Sequence, residues 1–126
     1  MPYITVKALP LEDPQRVPDI LQAVSRRFAE AAGIEELHIT VTWETFAPGH
    51  YVKGGKVADV HDFETHPLVA ELFVPDGNDE ETVQFMLHTL ARLLNEETGC
   101  PLHRMFITCR LAKSGYVYDD GEIAEW

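Results

Sequence analysis

Proline at the second position carries the most distinctive chemistry in this chain. Pro2 directly follows Met1. Inside a chain a proline nitrogen is an amide and has no basicity. At a free N-terminus, once Met1 is removed, it is a secondary amine that can take or give a proton. Ordinary α-amino groups titrate near ~8, and an apolar pocket disfavours the ammonium form and moves that value down towards the working pH. Such a base can move a proton on the carbon next to a carbonyl, and it can also form an iminium with one. The plain alternative is that Met-Pro merely begins an edge strand.

Other reactive side chains are less organised. His61-Asp62-Phe63-Glu64-Thr65-His66 holds two histidines and two carboxylates, the raw material of a metal site. Their spacing fits no helix face and falls in the connector between two halves of the chain, so they read as solvated loop residues and no metal is expected. His88 and His103 have no convincing partners. Cys100 and Cys109, the only cysteines, read as reduced packing residues of a cytoplasmic protein. No serine or cysteine stands in a nucleophile-elbow context and no glycine-rich phosphate loop occurs, so no cofactor is expected.

The elements that would position Pro2 emerge from internal repetition. Residues 2–10 (PYITVKALP) align with residues 67–75 (PLVAELFVP), both β-rich runs bracketed by prolines, at an offset of 65. One inserted residue makes the offset 66. Val17, Ile20, Leu21, Val24 and Phe28 then fall on Val83, Met86, Leu87, Leu90 and Leu94, with the spacing of a helix that buries one face. Gly33 falls on Gly99, where each helix would end in a left-handed turn. Ile39-Thr40-Val41-Thr42 falls on Met105-Phe106-Ile107-Thr108, a second strand in each half. Gly55-Lys56-Val57-Ala58 falls on Gly121-Glu122-Ile123-Ala124.

Each half therefore reads strand, helix, strand, then a glycine-containing turn and a short tail. Asn78 is placed to cap the second helix, with Glu81 closing a capping box. Asp13-Pro14 offers a start to the first, but Pro18 one turn later predicts a distorted or late beginning. Two β-α-β units with right-handed crossovers give an α/β (α+β) fold: a four-stranded sheet with two helices on one face. The chain reads as one domain, 1–126, of two pseudo-repeats, 1–60 and 66–126, joined through 59–66. Its other sheet face needs cover that self-association would supply.

The segment from Glu44 to Ala58 (ETFAPGHYVKGGKVA) resembles the C-terminal segment of 4-oxalocrotonate tautomerase. It shares an acidic residue, the Gly49-His50-Tyr51 step, Gly54-Gly55 and a closing hydrophobic-Ala. Pro2 after Met1 and the β-α-β unit between them match as well. Residues 110–124 resemble the same block in degraded form. The chain is thus similar to a fused, two-repeat member of the tautomerase superfamily. The resemblance implies a homotrimer with pseudo-sixfold order, like that of macrophage migration inhibitory factor, and Pro2 as catalytic residue. It implies a carboxylate-gripping cation in the second strand, a position held here by His38 and Arg104. Arg110, at the position of Glu44, could be a replacement cation, and Tyr51 matches the family's aromatic wall. The family's second arginine, just before the helix, has no counterpart, because Glu12 and Asp13 occupy that neighbourhood.

Composition bounds the partners. The chain has 126 residues, 45% hydrophobic and 25% charged, with a formal net charge of −11. That charge repels phosphate backbones and anionic lipid heads, which argues against nucleic acid and membrane. No stretch reaches the ~18 apolar residues of a membrane helix. The expected function is proton transfer on a small carbonyl substrate, a keto acid or enol, with an anionic group for Arg104 to hold. Two alternatives stand beside it. One is a catalytically silent trimer that acts as a binding module. The other is a decarboxylase or dehalogenase in which a carboxylate such as Glu44 or Asp119 activates water.

Overall fold

A computed structural model describes residues 1–59 and 68–126. The first half forms β1 (Tyr3–Ala8), α1 (Val17–Ala32), β2 (Thr40–Thr45) and a hairpin of β3 (Tyr51–Lys53) and β4 (Lys56–Ala58). The second forms β5 (Leu68–Pro75), α2 (Glu80–Thr98), β6 (Met105–Ala112) and a hairpin of β7 (Val117–Asp119) and β8 (Glu122–Ala124). The order across the main sheet is β2-β1-β5-β6. β2 runs parallel to β1 and β6 parallel to β5, as a crossover helix requires. β1 and β5 are antiparallel, with Tyr3 opposite Phe73 and Lys7 opposite Val69. The two β-α-β units thus sit head to tail across a shared central ladder.

Strand periodicity decides which face is buried. On β1, Ile4 and Val6 are fully buried; on β5, Leu68, Ala70, Leu72 and Val74 are at most 2% exposed. Against them pack Ile20, Val24 and Phe28 of α1 and Met86, Leu90 and Leu94 of α2, positions that the repeat alignment marks, together with Leu93, which it does not. Each such side chain contributes about 1.5–3 kcal/mol of burial. Arg27 of α1 ties the helices together at their exposed edge by pairing with Glu96 and, at 3.0 Å, with Glu97. The other face of the sheet carries no helix among the described residues. It presents Tyr3, Thr5 and Lys7 from β1 and Val69, Glu71 and Phe73 from β5, alternate residues left out of the core.

The helix ends follow local chemistry. A 3-10 turn at Pro14–Arg16 precedes α1, its Asp13 side chain accepting from the Gln15 amide at 3.1 Å, and Pro18 sits in the first turn of α1 where no helical N–H is needed. The late start expected from Pro18 is what forms. At α2 the capping residue is Asp79 rather than Asn78: its carboxylate accepts from the Thr82 amide at 2.8 Å. The Asn78 side chain is spent on the Pro75 carbonyl at 2.8 Å, which closes the turn after β5. Gly33 and Gly99 end the two helices at φ of 67° and 79°. The two tails are two-residue hairpins. Gly54-Gly55 and Asp120-Gly121 all take positive φ, as a type I′ turn demands.

Cys100 is buried and Cys109 half-buried, both as free thiols, and burial raises the pKa of each. The cluster from His61 to His66, most of the connector and Pro67 lie outside the described residues. No helix is long and apolar enough to cross a membrane among the described residues.

Phe28 is the largest fully buried side chain among the described residues and belongs to the core cluster that both helices and the sheet form. Phe28→Ala is expected to cost about 3–5 kcal/mol of stability, read from urea unfolding. A loss under ~1 kcal/mol would mean that the layer between helices and sheet is not the core.

Candidate active site

Pro2 is buried just before β1, and its carbonyl accepts from the Thr40 amide at 3.2 Å. That bond starts the β1–β2 ladder and fixes Pro2 at one end of the sheet. A cavity of about 500 Å³ opens there. Its floor is Met1, Pro2 and Tyr3, with Phe73 from the neighbouring β5. One side is Leu37, His38 and Thr40, at the junction of a 3-10 turn (Glu36–His38) and β2. The other side is Val117, Tyr118, Asp119 and Asp120 from the hairpin of the second repeat. While Met1 is attached the Pro2 nitrogen is a peptide nitrogen. Its removal would leave the amine facing this cavity.

The antiparallel β1–β5 pairing explains the shared construction. It brings the C-terminal end of β5 beside the start of β1, and with it the hairpin that follows β6. Trp126 holds that region to the turn after β5. Its indole Nε1 donates to Asp76 Oδ1 at 2.7 Å, its amide donates to Ser114 Oγ at 2.9 Å, and Asp76 in turn donates its amide to the Ala112 carbonyl at 2.9 Å. Trp126 and Asp76 escaped the sequence reading because both lie outside the repeated blocks. Their residue types alone give no sign of pairing across the fold.

Of the residues singled out from sequence, His38 lines the Pro2 cavity, with its Nε2 3.6 Å from Glu35 Oε2. Asp119, considered as a water-activating carboxylate, lines it too. Arg110 stands behind Phe73, its guanidinium 4.7 Å from the ring centroid and 2.9 Å from Glu71 Oε1, so it borders the cavity without lining it. Arg104 ends the 3-10 turn before β6 and meets the sheet beside Leu68. Five strand residues, about 17 Å at roughly 3.4 Å each, separate that row from Phe73. The Arg104 Nε is shielded from solvent and has no hydrogen-bond partner among the described residues. Tyr51 is also at that far end, on the first hairpin, its ring 5.7 Å from that of Phe46, and burial raises its hydroxyl pKa. Its counterpart in the repeat, Val117, is the one beside Pro2. Glu44 lies at the far end of β2, 3.9 Å from Lys7 Nζ. Among the described residues, no group of three or more His, Cys, Asp or Glu side chains could hold a metal ion.

No protein-family model matches the chain, and no curated protein matches it in sequence. Solved structures do match in fold. Pt0534 inactivated by 2-oxo-3-pentynoate superposes with a TM-score of 0.83 at 18% identity, over 97% of this chain and 94% of that one. A wild-type fused 4-OT described as an asymmetric trimer gives 0.83 at 11% identity, over 97% and 95%. A member of the cis-3-chloroacrylic acid dehalogenase family gives 0.80 at 10% identity, over 97% and 82%. The fold is that of the tautomerase superfamily.

Coverage of 97% of this chain in each case means that the shared fold extends over both repeats. At such low identity the tautomerase fold is what the comparison carries, and the chemistry must be argued from this cavity.

Trp126 supplies the test of how the cavity wall is held. Trp126→Phe keeps an aromatic ring, though a smaller one, and removes the bond to Asp76. Amide exchange across Val117–Ala124 should accelerate several-fold while Ile4, Val6 and Leu72 stay protected. Unchanged exchange in the hairpin would show that it needs no such anchor.

Proposed function

We propose that this chain, after loss of Met1, catalyses proton transfer on a small enolisable carbonyl compound, with the Pro2 amine as the base. The observation that carries the reading is the burial of Pro2 in a 500 Å³ cavity whose walls come from both repeats. A buried secondary amine is a suitable base, because it takes a proton from carbon or an enol hydroxyl and returns it to the other site of the same substrate. Tyr118 and His38 line the same space and offer hydrogen-bond donors for the enolate oxygen that forms between the two transfers. Nothing in the scheme calls for a metal or cofactor.

The homotrimer belongs to the same proposal. The helix-free face of the sheet and its two edge strands, β2 and β6, leave surface that other subunits would cover. A fused relative in fold is described as a trimer. Arg104, Arg110 and Tyr51 stay candidates for substrate contact in such an assembly, where sites need not be confined to one chain. Two free thiols suit a reducing compartment such as the cytoplasm.

A second reading is favoured by one observation, the presence of Asp119 at the cavity. A carboxylate there could activate water while the Pro2 ammonium serves as acid, the division of labour a hydrolytic dehalogenase would need; a decarboxylase would need the ammonium to protonate the carbon that loses CO2. The catalytically silent binding module is what remains if Pro2 proves dispensable.

The test uses protein whose mass shows a chain beginning at Pro2 and whose sedimentation mass is three times the 14.2 kDa chain. Ketonisation of simple enols is followed by absorbance. Pro2→Ala, and protein retaining Met1, should lose about 10²–10⁴ of the rate while keeping the folded trimer. Equal activity in either form would remove the amine mechanism.

A further inference from the structure

Within the reading of Pro2 as the reactive amine, we infer that Arg110 holds a carboxylate of the substrate, and that it does so at the cavity of its own chain. The pairing registers set one row of residues across the sheet at the Pro2 end. Thr40 stands opposite Tyr3, Tyr3 opposite Phe73, and Phe73 opposite Arg110. The first three line the cavity. Arg110 is the fourth, and strand alternation puts its side chain on the helix-free face with those of Tyr3 and Phe73. Arg104, by contrast, meets the sheet at the opposite end of β5, beside Leu68.

The guanidinium leans along this row towards the cavity. It lies 4.7 Å from the ring centroid of Phe73, part of the cavity floor, and its Nη2 donates to Glu71 Oε1 at 2.9 Å. Phe73 and Glu71 thus act as positioning residues that hold the charge beside the floor. Among the described residues Glu71 engages Nη2 alone, and a guanidinium offers further donors in a fork that fits a carboxylate. Asp119 and Asp120 on the hairpin wall give a bound acid its direction. Its carboxylate is repelled from the hairpin and drawn to the floor beside Phe73, which leaves its carbonyl oxygen to the Tyr118 hydroxyl. The placement of Arg110 is set by this chain's own strand pairing and does not depend on what other subunits bring to the cavity.

Two ligands of one shape, 3-phenylpropanoate and 3-phenylpropanamide, isolate the charge. Each is titrated at low ionic strength into intact isotope-labelled protein beginning at Pro2, and the amide signals of Tyr3, Phe73 and Arg110 are followed by NMR. The acid should bind with a dissociation constant at least about tenfold below that of the amide. Arg110→Gln, which removes the charge, should abolish that advantage, and Arg110→Lys, which keeps the charge without the fork, should retain part of it. Equal binding of acid and amide by the unaltered protein overturns the inference, as does an advantage that survives Arg110→Gln, or failure of the acid to shift these signals. Labelled Arg110→Gln chains are then assembled with an excess of unlabelled, unaltered chains. Their signals should still report weak binding of the acid, whereas tight binding would mean that a neighbouring chain supplies Arg110 and would overturn the same-chain assignment. The readout needs no turnover. An inert Pro2 would therefore sink the amine reading and leave the Arg110 assignment standing, and a failed acid preference beside an active Pro2 would do the reverse.

Discussion

The antiparallel ladder between β1 and β5 is the interaction on which the rest of the molecule depends. A single β-α-β unit is a two-stranded sheet with both edges unpaired and only one helix to pack against. Pairing Tyr3 with Phe73 and Lys7 with Val69 joins two such units edge to edge. It places α1 and α2 side by side over one continuous apolar face, where Phe28, Leu90 and Leu94 share a core. A slip of one residue would turn Ile4 and Val6 away from the helices and Thr5 into them, so the register is fixed by burial.

The same ladder builds the cavity. Because the units run in opposite directions, the tail of the second repeat returns to the start of the first. The Pro2 end therefore receives a wall from Val117 to Asp120, and Phe73 beneath it comes from the second repeat as well. The two halves differ in charge. The hairpin at Pro2 ends in Asp119-Asp120-Gly121, whereas the hairpin of the first repeat carries Lys53-Gly54-Gly55-Lys56. Acidic and basic tips at opposite ends of one sheet give the two ends different electrostatics from the same backbone turn.

Much of this was legible in the sequence because the relevant signals are local and repeated. Helical spacing from Val17 to Phe28 and from Val83 to Leu94, the glycines at 33 and 99, and the irregular start at Pro18 all reflect short-range geometry. The cap of α2 was off by one residue because Asn78 and Asp79 are both competent, and only the turn after β5 decides that Asn78 is spent on Pro75. The site was less legible because its membership depends on which end of the sheet a residue reaches. His38 and Asp119 arrive at Pro2, while Arg104, Tyr51 and Glu44 belong to rows nearer the opposite end. That sorting follows from the antiparallel pairing of the two units, which a repeat alignment by itself leaves open. Trp126, which fastens the wall, has no counterpart in the alignment at all.

The account turns on whether the Pro2 nitrogen is a reactive amine inside this cavity, and covalent labelling tests that most directly. An uncharged ynone such as 3-butyn-2-one adds an amine nitrogen to its terminal alkyne carbon, and the amine proton moves to the carbon beside the carbonyl, so the adduct mass is the sum of the two. Peptide mapping then locates the label. Cys100 and Cys109 are the competing nucleophiles, but burial raises both thiol pKa values and leaves little thiolate near neutrality. The account predicts one equivalent of label on the Pro2 nitrogen of protein lacking Met1 and none there when Met1 is retained. Label confined to the cysteines, or equal labelling of unfolded and folded protein at Pro2, would contradict it.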